Sequence, residues 1–377
     1  MGHLLRLESS LAGRSERATI KRRFFHLSAP PVNYGQPVSG ILVPFPLYRF
    51  RFFRYSILSM KIVKQAPPAT AAVLILLTTL ALAPLPARSQ EKKTELEHQI
   101  SVSAISIAVT VQGKDGRYIS DLTQDDFTVY ENKAKQTITY FKHDFEAPVS
   151  LTVLLDVSGS MGLQDKLRES KEALRYLLTD LLRPQDEASL LIFADGQVEV
   201  AAKFSTDKSG FLAELDHTEA YGQTALNDAV AVSPEFANRG KNEKRAILLI
   251  TDGIENDSQA SVDQAVEIAR RVDVPIFTIG YKIPLGDEFL KKYKRTSALT
   301  SAGIVSALER FSQATGGKVF IASQPQELTA ALRQIKRELS HQYIIGYTSY
   351  KNSKNEYLKI RVETSNKKHK VRTREGY

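Results

Sequence analysis

From His98 onward, apolar and polar positions alternate in short runs. Ile105, Ile107, Val109 and Val111 stand at every second position, the signature of a half-buried strand. Gly113-Lys114-Asp115-Gly116 reads as a turn, and 127–130 and 137–141 read as further strands separated by Glu131-Asn132-Lys133. At Ser150 the pattern changes. Positions 151–155 are almost continuously apolar, as a strand buried on both faces of a parallel sheet requires. Leu167, Leu174, Leu177, Leu178 and Leu181 then recur at helical spacing and stop before Pro184. Strands follow at 190–193, 246–250, 275–279 and 319–321, with helices between and after them at 225–237, 263–272, 305–314 and 326–339. After His341 the pattern returns to strands, at 343–347, at Leu358, Ile360 and Val362, and around Val371.

This order divides the chain into a β segment over 98–148, an α/β domain over 149–340 and a second β segment over 341–377. Alternating strands and helices predict a doubly wound α/β sheet. Two or three strands cannot bury an apolar face alone. The two β segments are therefore expected to pair into one small antiparallel β domain, built from N- and C-terminal strands, with the α/β domain inserted between them.

Charge at first suggests a nucleic-acid or membrane partner, since the chain carries a formal +9. The charge is unevenly placed. Residues 1–59 hold nine Lys/Arg against two Asp/Glu, including the run Arg49-Phe50-Arg51-Phe52-Phe53-Arg54. Met60 then opens a second start. Lys61 and Lys64 precede an apolar run over 69–83, followed by Pro84, Pro86 and Ala87-Arg88-Ser89, so 60–89 reads as a secretory signal peptide. The run is short of the roughly 20 residues a membrane span needs. Residues 1–59 read as sequence translated from a start placed too early, and the polar stretch 90–97 as a linker. What remains carries −1, which offers no electrostatic footprint for nucleic acid. The expected location is outside the cytoplasm: periplasmic, cell-surface or secreted. A membrane becomes a partner only where the signal stays uncleaved as an anchor. Cysteine is absent, which excludes a disulfide framework, a thiol nucleophile, a cysteine zinc site and a lipoprotein anchor.

The candidate chemistry sits at strand ends. Asp156-Val157-Ser158-Gly159-Ser160 directly follows the strand at 151–155, and Asp252 directly follows the strand at 246–250. Open α/β sheets bind ligands at the carboxyl ends of their strands. Two carboxylates and two hydroxyls delivered there form an all-oxygen cluster suited to a hard cation, Mg²⁺, Mn²⁺ or Ca²⁺. Asp156 and Ser158 are also helix N-cap types. Capping accounts for one of them and leaves Asp252 unexplained.

Asp156-x-Ser158-x-Ser160, Thr224 in Gly222-Gln223-Thr224-Ala225-Leu226, and Asp252 together resemble the metal-ion-dependent adhesion site of von Willebrand factor A domains. The flanking β segments are similar to those of the A-domain-related proteins of acidobacteria and their relatives. The resemblance implies a Rossmann-like domain over about 149–340. It also implies that Ser158 and Ser160 ligate the metal directly, that Thr224 joins in the ligand-engaged state, and that Asp156 and Asp252 act directly or through water. One coordination position is then open to an Asp or Glu of a protein partner. Asp228, one helical turn beyond Thr224, is a candidate to support the ligands from behind. Glu255 and Asp257 read as solvent-exposed loop acids.

Other readings compete. An enzyme finds little support, because the chain has no G-x-S-x-G, no H-E-x-x-H and no phosphate-binding G-x-x-x-x-G-K-[ST]. No catalytic residue and no small-molecule substrate is expected. An intracellular assembly module beside an ATPase is disfavoured by the signal at 60–89. A structural or assembly component of an envelope complex, with the metal mainly stabilising the fold, is the remaining alternative.

Overall fold

The computed structural model describes residues 18–20, 101–143, 145–284, 300–351 and 357–377. The signal segment, the linker over 90–97 and the upstream stretch other than 18–20 lie outside the described residues.

The central sheet runs in the order β1 (Ala18–Ile20), β8 (Gln197–Ser205), β7 (Glu187–Ala194), β6 (Val149–Asp156), β9 (Lys244–Thr251), β10 (Ile276–Tyr281), β11 (Val319–Ala322). The five strands from β7 to β11 in this order are parallel, while β8 and β1 add antiparallel at one edge. Every residue of β6 and β7 is buried, which is why these segments read as continuous apolar runs rather than alternations. Successive residues face opposite layers. Val153 and Leu155 pack with Leu174, Phe211 and Leu332 of helices α1 (Lys166–Tyr176), α2 (Ser209–His217) and α6 (Pro325–Ser340). Leu154 packs with Val230, Ala265 and Leu308 of helices α3 (Leu226–Ala237), α4 (Val262–Ala269) and α5 (Ser301–Thr315). The helix ends carry local signals. Ser261 and Gln264 form a capping box at α4, Thr300 caps α5 by accepting from the Gly303 N–H, and Pro325 opens α6.

The strands outside the α/β unit pair with each other. β2 (Ser101–Gln112) and β12 (Gln342–Lys351) are antiparallel along the whole of β12, from Gln342↔Thr110 to Lys351↔Ser101. The first sheet runs β14 (Lys370–Arg372), β2, β12, β5 (Ile138–His143), and the second β13 (Ile360–Thr364), β3 (Phe127–Glu131), β4 (Ala134–Gln136). Ile107, Val109, Val129, Tyr343, Ile345 and Val362 form a core of their own. The expected fold class is thus the one observed, an α/β unit within an antiparallel β unit. The two crossings lie side by side: the Phe145 and His341 rings are 5.3 Å apart, and Arg183 donates to the carbonyls of Glu146 and Ala147.

Among the elements that periodicity did not reveal, besides the three-residue strands β1 and β4, are β8 and α2. Val198, Val200 and Ala202 alternate inward along β8, and Phe211 and Leu215 anchor the short helix α2. Both lie at the periphery, where few apolar residues mark the pattern.

Candidate metal centre

Parallel pairing places Asp156 and Asp252 at the same end of adjacent strands. Asp156 is the last residue of β6, Asp252 follows β9 directly, and Leu155 pairs with Ile250. Both carboxylates are fully buried. Asp156 accepts from the Ser158 N–H at 2.9 Å and from the Thr251 hydroxyl at 2.6 Å. Asp252 accepts from the Ile254 N–H at 3.1 Å and from the Lys166 ammonium at 2.7 Å. Burial, and then the charge of Asp252, push the Asp156 carboxyl above the usual carboxylate range, against the Thr251 and Ser158 hydrogen bonds that favour its ionised form.

The hydroxyls come from the loop after β6. Ser158 and Ser160 are buried, and their oxygens are 3.1 Å apart. Short helical turns within Gly159–Asp165, broken at Leu163 and Gln164, fold the loop back, with Met161 buried. Thr224 arrives on a separate loop stitched to the first by backbone hydrogen bonds, from the Tyr221 N–H to the Val157 carbonyl at 2.8 Å and from the Gly159 N–H to the Gly222 carbonyl at 3.0 Å. Gly222 holds φ +67° in the left-handed region, and a Cβ there would lie 2.1 Å from an Asp195 carboxylate oxygen. On its other side the Thr224 peptide is tied to the loop after Asp252. Its carbonyl accepts from the N–H groups of Asn256 and Asp257, and its own N–H donates to the Asn256 side chain at 2.8 Å. Three loops carrying the five candidate ligands are therefore laced into one surface at the carboxyl end of the sheet.

Asp228 accepts from the N–H groups of Gln259 and Ala260 at 3.1 and 2.9 Å, so its carboxylate holds the far end of the loop that Asp252 begins. Glu255 departs from the expected exposed acid. It is half-buried and accepts from Asp257 and Ser258 N–H, from the Ser258 hydroxyl, and from the Asn227 N–H at the start of α3. A carboxylate on the first turn of a helix meets the positive end of the helix dipole. Lys166 is the other residue the sequence concealed. No pattern in the sequence singles it out, yet it is 1% exposed and lies against Asp252.

Among the described residues, no group of three or more His, Cys, Asp or Glu side chains is placed to hold a metal. The cluster here has two carboxylates, with hydroxyls for the rest. An all-oxygen set of low charge, shaped by rigid loops, fits a hard divalent cation that keeps part of its water.

A model of the von Willebrand factor type A domain matches residues 151–255, the stretch that holds all five candidate ligands. A protein of Borreliella burgdorferi is 25% identical over 206 residues, covering 51% of this chain and 59% of its own length. YfbK of Escherichia coli is 26% identical over 228 residues, covering 59% of this chain. The chain spans 59% and 38% of the lengths of these two curated relatives. Among solved structures, a von Willebrand factor type A protein from Catenulispora acidiphila aligns with a TM-score of 0.43 at 13% identity, over 64% of this chain and 50% of that one. An aerotolerance-related membrane protein from Bacteroides fragilis aligns with a TM-score of 0.39 at 17% identity, over 51% of this chain and 98% of that one.

Proposed function

We propose that the α/β unit is a divalent-cation-dependent protein-binding module, in which Asp156, Ser158, Ser160, Thr224 and Asp252 hold Mg²⁺, or Mn²⁺ or Ca²⁺ in its place. The observation that carries this reading is the pair of fully buried carboxylates on adjacent strands, flanked by two buried hydroxyls. A pair of buried negative charges is costly unless cations offset it. A bound divalent ion would offer an open coordination position to an Asp or Glu side chain of a partner protein. The residues around it do the rest: peptide hydrogen bonds fix the three loops, and the buried serines keep their hydroxyls turned together. The basic, apolar and small-residue pattern over 60–89 supports a module that works outside the cytoplasm.

The structural alternative gives the metal the task of holding the loops. The lacing between 157–159, 221–224 and 256–257 weighs against it, because peptide hydrogen bonds already hold them. Calorimetric titration of the metal-depleted protein with Mg²⁺, Mn²⁺ and Ca²⁺ tests the site, with one cation per chain expected. Capture of a protein from envelope extract in Mg²⁺, released by EDTA, tests the adhesion role. Heat-free unfolding by EDTA without any partner would favour the structural alternative.

A further inference from the structure

Lys166 does not belong where ordinary stability would put it. It is the first residue of α1, at the positive end of the helix dipole, where a cation is disfavoured. Its ammonium is buried, and taking such a group out of water is costly unless it is paired. The backbone leading to it is strained as well: Gln164 and Asp165, neither of them glycine, hold φ of 54° and 58° in the left-handed region. Together these features turn the side chain back beneath the loop of Ser158 and Ser160. There the ammonium donates to Asp252 at 2.7 Å and to the Ser160 carbonyl at 3.3 Å. It thus contacts two of the five candidate ligand residues.

We infer that Lys166 is a built-in counter-ion of the candidate metal centre, which stabilises the metal-free cluster, weakens cation binding and ties that binding to the arrival of a partner carboxylate. The inference rests on the cation-binding reading above. Its basis is a charge count. With both buried carboxylates ionised, as holding a cation requires, they supply −2, the ammonium returns +1, and a divalent ion leaves the cluster at +1. Lys166 and the ion repel each other, so affinity for the free cation is low. An Asp or Glu from outside cancels the excess charge, and by linkage the partner then strengthens cation binding as much as the cation strengthens the partner. In the metal-free protein Asp252 keeps its partner, so the fold does not depend on the ion.

The test uses the full chain and the variants Lys166→Met and Lys166→Gln, both neutral and close to lysine in length. Calorimetric titration with Mg²⁺ should show affinity raised by about tenfold or more in both, since a nearby like charge has been removed. Melting in EDTA should fall in both variants, and saturating Mg²⁺ should raise it further than it does in the wild type. Variants that bind Mg²⁺ no tighter than the wild type would overturn the inference. So would loss of fold in both variants even in saturating Mg²⁺, because the ion should then take over from the ammonium. Absence of Mg²⁺ binding in the wild type and in both variants would remove the metal reading itself, and the inference with it. Binding in the variants alone supports both.

Discussion

Asp156 and Asp252 differ in what offsets their charge: Asp252 has the Lys166 ammonium, and Asp156 has hydrogen-bond donors, from Ser158 and Thr251. Asp156→Asn keeps the shape and removes one of two neighbouring buried charges. It should lower Mg²⁺ affinity by about tenfold or more, by analogy with the loss of a charged partner, while melting in EDTA falls no further than in the wild type. Calorimetry and thermal melts check both halves, and unchanged affinity would refute the ligand assignment. Gly253, next to Asp252, is a second sensitive position. Its φ is +77°, and a Cβ there would lie 2.2 Å from a methyl of Ile304 on α5. Gly253→Ala should therefore cost about 2 to 4 kcal/mol, from left-handed strain together with overpacking. Urea titration measures it, and a change within about 0.5 kcal/mol, as at an ordinary surface site, would show that the loop adapts. Asp156, Ser158, Ser160 and Asp252 were legible as candidates because oxygen-bearing residues directly follow buried strands, and Thr224 through the family resemblance alone. Lys166 and Glu255 were not, because burial and long-range pairing leave no mark on local composition. A lysine that opens a helix looks the same whether it faces water or a carboxylate 86 positions away.

Between elements, Asp186 does the work that a disulfide cannot do in a chain without cysteine. Lying just before β7, it accepts from the Val149 N–H at the start of β6, from the Arg183 N–H, and from the Lys336 ammonium of α6 at 2.6 Å. Burial by itself would raise its carboxyl, but the Lys336 and Arg183 side chains and the two N–H donors outweigh burial and hold it at about 2. A depressed carboxyl stabilises the fold above its unfolded value, and that contribution disappears as pH falls through the folded value. Asp186 should therefore contribute about 2 kcal/mol at neutral pH, with the loss falling between about pH 4 and pH 2. Urea midpoints measured across that range should drop in the wild type and vary less in Asp186→Asn, which starts lower. Equal slopes would show that other carboxylates dominate the acid limb. The element pattern was largely readable, because buried parallel strands and amphipathic helices have distinct periods. β8 and α2 were not, since three inward apolar residues among polar neighbours, and two buried anchors on a nine-residue helix, give too short a run to stand out as a period.

At the scale of the whole chain, the β unit depends on both ends of the sequence. β2 lies between β14 and β12, β5 pairs with β12, and β3 lies between β13 and β4. A chain ending at Ser340 would lose β12, β13 and β14 together. β2 would be left without either neighbour, β5 without a partner, and Ile107, Val109 and Val129 without the Tyr343, Ile345 and Val362 they pack against. Unpaired strands with an apolar face are templates for association. The cut would also strip Arg372 from the buried Glu338 carboxylate near the end of α6, leaving the Tyr118 hydroxyl, at 3.2 Å, as its remaining partner from the β unit. The truncated chain should therefore bind hydrophobic dyes and aggregate. A fragment spanning 149–340 removes the N-terminal strands as well. It exposes no orphaned β core and keeps all three loops of the candidate metal centre, so it should stay monomeric and bind Mg²⁺ with affinity close to that of the full chain. Light scattering and calorimetry on the two fragments separate these outcomes. A monomeric chain ending at Ser340 that melts with the full-length protein would mean that the N-terminal strands hold together without their C-terminal partners, contrary to the pairing of β2 with β12.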